Sequence, residues 1–191
     1  KLARLRSLQT LHLENNAIVE INSLFELGQA TNIKLIGNDS INCVELDRLA
    51  SAIDGRVLIR PDKCSDSTPP PLIYLADNNV TVKARAIAQV GYTAVINDKE
   101  YVVVDKAKLV EMIANGEDVT NVVTSKITDM SWMFYYTTFN QSIASWDTSN
   151  VTDMTGMFFI TTFDQDISHW DTSNVTEMSA MFFFSSFNQD I

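Results

Sequence analysis

The last third of the chain repeats one pattern of hydrophobic and polar positions every 24 residues. The copies read ITDMSWMFYYTTFNQSIASWDTSN, VTDMTGMFFITTFDQDISHWDTSN and VTEMSAMFFFSSFNQDI, at residues 127–150, 151–174 and 175–191. Their methionines recur at the same place, at Met130, Met154 and Met178. Because each unit of a repeat protein buries its apolar face against its neighbours, this period predicts a solenoid in which equivalent side chains of successive copies lie over each other.

Within one copy, the hydrophobic positions favour a helix followed by an irregular segment. Apolar residues lie at the spacing of a helix face, at Val151, Met154, Met157 and Phe158. Asn150 and Asp153 resemble a capping box with Asp in place of Glu, so we predict a short helix over about 150–158. Residues 163–170 show no clean period, and a short strand there would supply the parallel ladder that joins the coils.

The first residues carry a second, shorter repeat. The pattern L-x-x-L-x-x-L-x-L-x-x-N-x-I is matched at Leu5, Leu8, Leu11, Leu13, Asn16 and Ile18. Three of these positions recur 22 residues later, at Ile33, Leu35 and Asn38. This pattern is typical of leucine-rich repeats, so it predicts a strand around Leu11–Leu13 with inward leucines. The asparagine side chain is predicted to cap backbone groups where the chain bends away.

A cysteine-bracketed segment follows the leucine pattern. Hydrophobic residues at Val44, Leu46, Leu49 and Ile53 predict a short amphipathic helix that ends near Gly55. Cys43 and Cys64 lie on either side of it, and two thiolates without a nearby pair of histidines fall short of a zinc site. The segment resembles the C-terminal cap of extracellular leucine-rich-repeat proteins. This resemblance implies a Cys43–Cys64 disulfide and an oxidising compartment.

Short strands and one helix are predicted between the two repeat regions. The prolines of SDSTPPP mark a linker. Two hairpin turns are expected at Asn78-Asn79 and Asn97-Asp98, each flanked by β-rich residues. A helix should then begin after Asp105 as its N-cap and end at Gly116.

These patterns together predict an α/β fold, a leucine-rich-repeat-like solenoid of short helix-plus-strand coils with a small α+β capping module between two repeat regions. The predicted boundaries are 1–67 for leucine-rich repeats and their cap, 68–71 for the linker, 72–118 for the module and 119–191 for the 24-residue repeats. The chain starts and stops inside a pattern, which we interpret as a fragment. End-to-end self-association is a possible consequence at the last coil, whose apolar edge lacks a lid.

The repeat itself resembles a known family. The motif V-T-[DE]-M-[ST]-x-M-F, followed by F-[ND]-Q-x-I-x-x-W-D-T-S-N, is similar to the BspA-like surface-protein repeat, which is also known from Mycoplasma lipoproteins. The preceding VTVKA, VGYTAVINDKEYVVVD and LVEMIANGEDVTNVVTS resemble the segment that introduces that repeat, so the resemblance covers about residues 72–191. The period of 24 is shorter than that of related bacterial repeats. The resemblance implies a secreted or surface-exposed bacterial protein that acts as an adhesin, without enzymatic activity or cofactor.

The negative charge of the chain makes some classes of partner unfavourable. The net charge is −10, and no Lys or Arg follows Lys126, whereas eight Asp and Glu residues do. Such an acidic surface repels phosphate backbones, so nucleic acid is a poor candidate partner. No apolar run reaches about 18 residues, so no membrane span is predicted.

Comparison of the copies identifies candidate contact residues. Met, Phe and Trp positions that stay constant are predicted to form the core. A recognition surface in repeat proteins is built from variable positions on an invariant frame. Tyr135, Tyr136, Phe159 and Ile160 are therefore the candidate binding residues, and the alternative is that they are simply packed.

Catalytic and metal-binding patterns are missing from the sequence. His12 is expected at an outward strand position, and His169 occurs in one copy only, so a pocket around His169 with a carboxylate partner would be needed to revive an enzyme hypothesis. Asp164, Asp166 and Asp171 suggest calcium, but they lack the D-x-[DN]-x-[DN]-G loop. We therefore expect no catalytic residues, no metal and no cofactor.

Three functional hypotheses follow. The first is a non-enzymatic bacterial adhesin or protein-binding scaffold, extracellular or at the cell surface, whose partner is a protein or another cell-surface ligand. The second is a structural spacer or stalk with no ligand of its own. The third is a carbohydrate-binding module that uses exposed aromatic side chains.

Overall fold

The computed structural model describes residues 9–26, 32–53, 57–65 and 70–190. The chain divides into two compact units, Lys1–Pro71 (unit 1) and Leu72–Ile191 (unit 2). Two α-helices and three small sheets in the described residues give a general α/β class. No helix among these residues is long and apolar enough to cross a membrane. Some predicted positions lie outside the described residues: Leu5, Leu8, Gly55, the linker residues 68–69 and Ile191.

Unit 1 contains a parallel sheet of three short strands. They are β1 (Thr10–His12), β2 (Asn32–Lys34) and β3 (Val57–Ile59), in the order β1-β2-β3. Leu11 pairs with Ile33, which confirms the predicted strand and its 22-residue spacing. A 3-10 helix, Asn22–Glu26, follows the first strand.

A buried asparagine joins the first two segments of unit 1. The side-chain oxygen of Asn38 accepts the N–H groups of Asn16 and Ile18 at 3.2 and 2.9 Å. Its amide nitrogen donates to the carbonyl oxygens of Leu13 and Leu35 at 2.7 and 2.9 Å. The predicted capping role is therefore confirmed at Asn38, while Asn16, the equivalent residue one turn earlier, is exposed.

The helix of unit 1 is stapled by a disulfide. Helix α1 (Cys43–Ala52) begins at Asn42, whose side-chain oxygen accepts the N–H groups of Val44 and Glu45. Cys43 and Cys64 form a disulfide, which confirms the predicted pair. Leu46, Leu49 and Ile53 are buried as predicted, but Val44 is exposed because the first turn buries Glu45 instead.

Two hairpins open unit 2, as predicted. Strands β4 (Ile73–Leu75) and β5 (Val82–Ala84) pair antiparallel around Asn78-Asn79. Strands β6 (Thr93–Ile96) and β7 (Lys99–Val103) pair antiparallel around Asn97 and Asp98. Both residues of the second turn have positive φ, 49° and 62°, as the favoured two-residue hairpin turn requires. A two-residue strand, β8 (Val122–Val123), adds parallel to β7.

Helix α2 (Lys106–Ala114) starts and stops where the sequence predicts. The Asp105 carboxylate accepts the N–H of Lys108 at 2.8 Å. Gly116, at φ +70°, lets the chain turn back so that the Glu117 N–H reaches the Met112 carbonyl. Leu109 and Met112 are buried and join the core of the repeats.

The helix predicted over 150–158 is wrong. Residues 155–160 form turns, in which alternate N–H groups bond to the next copy while those of Met157 and Phe159 bond three residues back in their own copy. The N–H groups of Met154, Gly156 and Phe158 donate to the carbonyls of Glu177, Ser179 and Met181 at 2.8–2.9 Å. The first copy makes the same bonds to the second. Apolar residues spaced three and four apart therefore face the core from a folded turn, not from a helix.

The strand expected at residues 163–170 is also absent from the described residues. The parallel ladder runs through residues 129–136 and their equivalents, with bridges from Asp129 to Asp153 and from Asp153 to Glu177. The later part of each copy is joined by side chains. The indole N–H of Trp170 donates to the Ile143 carbonyl at 3.1 Å, and that of Trp146 bonds equivalently one copy earlier.

Equivalent rings of successive copies stack in the core. Phe134, Phe158 and Phe182 form one column with centroids 5.4 and 5.5 Å apart. A second column, Phe139, Phe163 and Phe187, has a spacing of 6.1 Å at both steps. The predicted stacking is confirmed for these rings. Met130 and Met154 are buried in the same core, whereas Met178 is 43% exposed.

Candidate binding surface

Large hydrophobic side chains are exposed on the outer side of the repeat ladder. We call the following six residues the aromatic strip: Trp132, Tyr135, Tyr136, Phe159, Phe183 and Phe184. The exposed fraction is 50% for Trp132 and Tyr135, 72% for Tyr136 and 75% for Phe184. Phe159 is half-buried. Because the first copy is bonded to the second, its exposed rings lie on the side of the ladder and not at its end.

The turn conformation sorts side chains between the core and the strip. Met133 and Phe134 are buried, while the residues on either side of them, Trp132 and Tyr135, are exposed. Trp132 and Tyr136 have φ of 57° and 54°, the left-handed region that L residues rarely adopt. Their equivalents in the later copies have the same sign of φ, so this conformation belongs to the repeat.

The rings of the strip contact each other across copies. Trp132 meets Tyr135 edge to face, with centroids 5.7 Å apart and planes at 88°. Phe159 of the next copy lies 5.8 Å from Trp132 and 5.7 Å from Tyr135. Phe183 continues the row at 5.2 Å from Phe159. The strip is therefore continuous over the three copies.

A glycine makes room for the tryptophan. Gly156 has φ +59°, and a Cβ added there would lie 2.5 Å from the Trp132 ring. The indole thus lies directly over the backbone of the next copy. The equivalent residue of the third copy is Ala180. Of the three copies, therefore, the first has a tryptophan at this position and the other two have small residues.

The four predicted contact residues are only partly brought together. Tyr135 and Phe159 are in ring contact, and Tyr136 lies beside Tyr135 at 6.1 Å. Ile160 is half-buried and lies at the equivalent position to Tyr136. The sequence interpretation missed Trp132, Phe183 and Phe184. The sequence does contain a signal for Trp132. A tryptophan in one copy, with Gly156 and Ala180 at the equivalent positions of the others, is the pattern of a ring that lies over a small residue.

An acidic residue occupies the same position in each copy of the ladder segment that carries the strip. Asp129, Asp153 and Glu177 are bridged in parallel across the ladder, and we call them the acidic row. Asp129 is balanced by Lys106, whose ammonium lies 2.9 Å from its carboxylate. Hydrogen bonds from Ser131, together with Lys106, lower the pKa of Asp129 from 3.8 to about 2. Asp153 accepts the Thr155 N–H at 2.8 Å, and neither Asp153 nor Glu177 forms an ion pair within the described residues.

A shallow polar pocket surrounds His169. Its lining includes Lys83, Asp147, His169 and Asp171. Asp147 is buried and fully engaged, by Ser125 at 2.5 Å, Ser149 at 2.6 Å and Lys83 at 3.3 Å. Within the described residues, no hydrogen bond joins the exposed His169 imidazole to these carboxylates.

The aspartates that suggested calcium accept hydrogen bonds from within the repeats. Asp164 accepts the Asn188 N–H at 2.8 Å and the Gln189 amide at 2.9 Å, and these bonds lower its pKa. Asp166 accepts the N–H of Ser168, two residues further on in its own copy, at 2.9 Å. Among the described residues, no group of three or more His, Cys, Asp or Glu side chains could hold a metal ion.

Residues 104–191 match the model of a family described as "Mycoplasma protein of unknown function, DUF285". This match covers α2 and the repeats, somewhat less than half of the chain, and supports the resemblance to Mycoplasma repeat proteins over those residues. Neither the curated proteins nor the solved structures contain a match to the chain. The leucine-rich repeats and their cysteine cap stay predictions.

Proposed function

We propose that this chain is a non-enzymatic binding protein of a bacterial surface, an adhesin-like scaffold whose 24-residue repeats form a leucine-rich-repeat-like solenoid. The observation that carries the proposal is the aromatic strip. Exposed hydrophobic residues scattered singly are ordinary, but a contiguous group with Trp and Tyr at its centre is typical of interaction sites.

The frame beneath the strip supports this function. Ladder bonds and ring columns fix each copy on the next, so the exposed rings are held by rigid neighbours. Preorganised aromatic side chains bind at a low cost in conformational entropy. Binding positions that vary from copy to copy on a constant frame are how repeat proteins acquire specificity.

Two observations support an extracellular or cell-surface location. The Cys43–Cys64 disulfide is typical of oxidising compartments. The match of residues 104–191 to a Mycoplasma family is compatible with a bacterial surface protein.

The strip favours binding over the spacer hypothesis. A stalk with no ligand gains nothing from Trp132, Tyr135 and Tyr136 on its surface, and such rings promote aggregation. A carbohydrate ligand remains the second candidate, because sugars also stack on exposed aromatic rings. The edge-to-face corner of Trp132 and Tyr135 offers a cleft rather than a flat platform for a sugar face.

The test uses intact animal cells and the whole chain, with bound protein measured by flow cytometry. In the strip variant, Trp132→Ala with Tyr136→Asn, both replacements suit the left-handed backbone, since Ala180 adopts it in the third copy and Asn tolerates it. The control is Tyr92→Ser, which removes an exposed aromatic ring from unit 2 outside the strip. We expect the strip variant to bind about 30-fold more weakly and the control within about twofold, as for a hot spot.

Treatment of the cells separates the candidate ligands. Trypsin should abolish binding and glycosidases should leave it unchanged, because the proposed ligand is a protein. The opposite pattern would replace the protein ligand by a carbohydrate. Equal binding by the strip variant and Tyr92→Ser, or none by the parent chain, would leave the spacer hypothesis in place of ours.

A further inference from the structure

We propose that the aromatic strip and the acidic row together bind an arginine-rich extended segment of a partner protein. This inference rests on the proposed function and adds the chemistry of the partner. It is carried by the position of the two rows and by the carboxylates of Asp153 and Glu177, which form no ion pair within the described residues.

Both rows lie in the same segment of the ladder, residues 129–136 and their equivalents. In each copy, an acidic residue is followed three, six and seven positions later by positions of the strip, as Asp129 is by Trp132, Tyr135 and Tyr136. The residues between them, such as Met130 and Phe134, point into the core. The parallel bridges carry both rows in the same direction from copy to copy, at the spacing of neighbouring strands, about 4.8 Å.

The carboxylates of the acidic row repel each other. Like charges directly opposite each other on paired strands are destabilising. Lys106 relieves this at Asp129, but Asp153 and Glu177 have no ion pair within the described residues. No Lys or Arg follows Lys126 in the sequence, so the repeats hold no cation to supply one. A cationic partner that lies along the row therefore removes a repulsion as well as forming an attraction.

Arginine satisfies both rows with one side chain. Its guanidinium is planar and stacks on aromatic faces, and its N–H groups point outward in the plane, where they donate to carboxylates. Lysine carries the charge but lacks the planar face. A neutral sugar can stack on the rings but forms no ion pair with the carboxylates, and an acidic partner is repelled by them.

Binding can be measured by the fluorescence of Trp132. This side chain is 50% exposed, whereas Trp146 and Trp170 are 0% and 9% exposed, so acrylamide quenches Trp132 selectively. The probes are synthetic peptides that alternate glycine with arginine, with lysine or with glutamate, in low-salt buffer at neutral pH. We expect the arginine peptide to protect Trp132 and to bind about tenfold more tightly than the lysine peptide, with no protection by the glutamate peptide.

Charge variants test the acidic row. Asp153→Asn with Glu177→Gln removes two charges, and the Asn can still accept the Thr155 N–H. The matched control, Asp98→Asn with Glu100→Gln, removes two charges from the exposed β6–β7 hairpin. The first pair should weaken binding of the arginine peptide about tenfold, and the control should change the affinity by less than twofold, because only the first pair lies in the ladder segment that carries the strip.

Two results would overturn the inference. Equal weakening by both charge pairs would reduce the binding to unspecific attraction by net charge, and equal affinity for the arginine and lysine peptides would remove the stacking. The proposed function has its own test in the strip variant on cells. Cell binding that depends on the strip but is unchanged by Asp153→Asn with Glu177→Gln would overturn this inference alone.

Discussion

Unit 1 and the repeats of unit 2 both stack short segments of chain, but they hold them together differently. In unit 1, β1, β2 and β3 pair as regular strands, Asn38 bridges two segments and a disulfide closes the end. The repeats contain no disulfide, and their ladder runs through turns with left-handed residues. Their copies are joined instead by rings that lie on identical rings.

This difference explains why the two sequences repeat with different fidelity. In unit 1 the pairing partner of Leu11 is Ile33, and that of Ile33 is Leu58, so any aliphatic side chain of similar size serves. In the repeats, the phenylalanine columns and the side-chain bonds of Trp146 and Trp170 need the same residue in each copy. The copies differ by small aliphatic exchanges in the core, such as Ile127 and Val151, and by larger changes on the outside, where the aromatic strip lies.

The largest effect is expected from Phe158→Ala. Phe158 is fully buried between Phe134 and Phe182, so its removal should cost about 3–5 kcal/mol of unfolding free energy. Phe158→Leu should still cost about 2 kcal/mol, whereas Ile33→Leu in unit 1 should cost less than about 1.5 kcal/mol. Denaturant unfolding measures all three. Should the two leucine variants prove equally mild, the contrast between unit 1 and the repeats is lost.

Loss of the Cys43–Cys64 disulfide should destabilise unit 1 and leave the repeats unchanged. Cys43→Ser with Cys64→Ser opens a loop with a sequence separation of 21 and should destabilise unit 1 by about 3 kcal/mol. All three tryptophans lie in the repeats, so their fluorescence reports on unit 2, and hydrogen exchange of β1–β3 reports on unit 1. We expect faster exchange in β1–β3 and an unchanged fluorescence transition. A shifted fluorescence transition would show that the repeats depend on the disulfide as well.

Gly156→Ala should show a smaller, specific effect at the strip. The added Cβ would meet the Trp132 ring at 2.5 Å, whereas Gly116→Ala, at a similar φ, meets nothing within 4 Å. Both variants bear the cost of an L residue at positive φ, about 1 kcal/mol, and Gly156→Ala should cost about 1 kcal/mol more. It should also displace the indole and increase acrylamide quenching of Trp132. Identical costs for the two variants would place the indole away from Gly156.

The smallest effect is expected from Asp129→Asn, and it depends on pH. The pKa of Asp129 is lowered from 3.8 to about 2 in the folded chain, so its charge stabilises the fold above about pH 4 and this contribution is lost as the pH falls through 2. The carboxyl is half-exposed, which limits the contribution to about 0.5–1 kcal/mol. Asp129→Asn should therefore be less stable than the parent at pH 7, and most of this difference should be lost at pH 2. A difference of the same size at pH 2 would assign the effect to packing.

The sequence predicted contacts better than it predicted conformation. The 22- and 24-residue spacings, the two hairpin turns and the caps of α2 each follow from side-chain chemistry that is visible in the residues themselves. The helix over 150–158 was wrong because Met154, Met157 and Phe158 report only which residues face the core. A turn with Gly156 and Ile160 at positive φ buries the same residues. A left-handed backbone at an isoleucine or a tryptophan is hard to predict from sequence, because these residues rarely adopt it.

The candidate site was predicted in part for a related reason. Variation between copies identified Tyr135, Tyr136 and Phe159, because constant positions are occupied by the core. Exposure could not be read from hydrophobicity, since Phe158 and Phe159 are neighbours and only the first is fully buried. The acidic residues were visible in the composition, but their alignment with each other along the ladder follows from the parallel bridges.

The frame and the strip both require that equivalent rings of successive copies lie against each other. The most direct measurement is the set of nuclear Overhauser effects between aromatic protons in solution. With centroids 5.4 and 5.5 Å apart, we predict cross-peaks from Phe134 to Phe158 and from Phe158 to Phe182, and none from Phe134 to Phe182. Assigned spectra without the first two cross-peaks, or with the third, would contradict the stacking and the binding surface built on it.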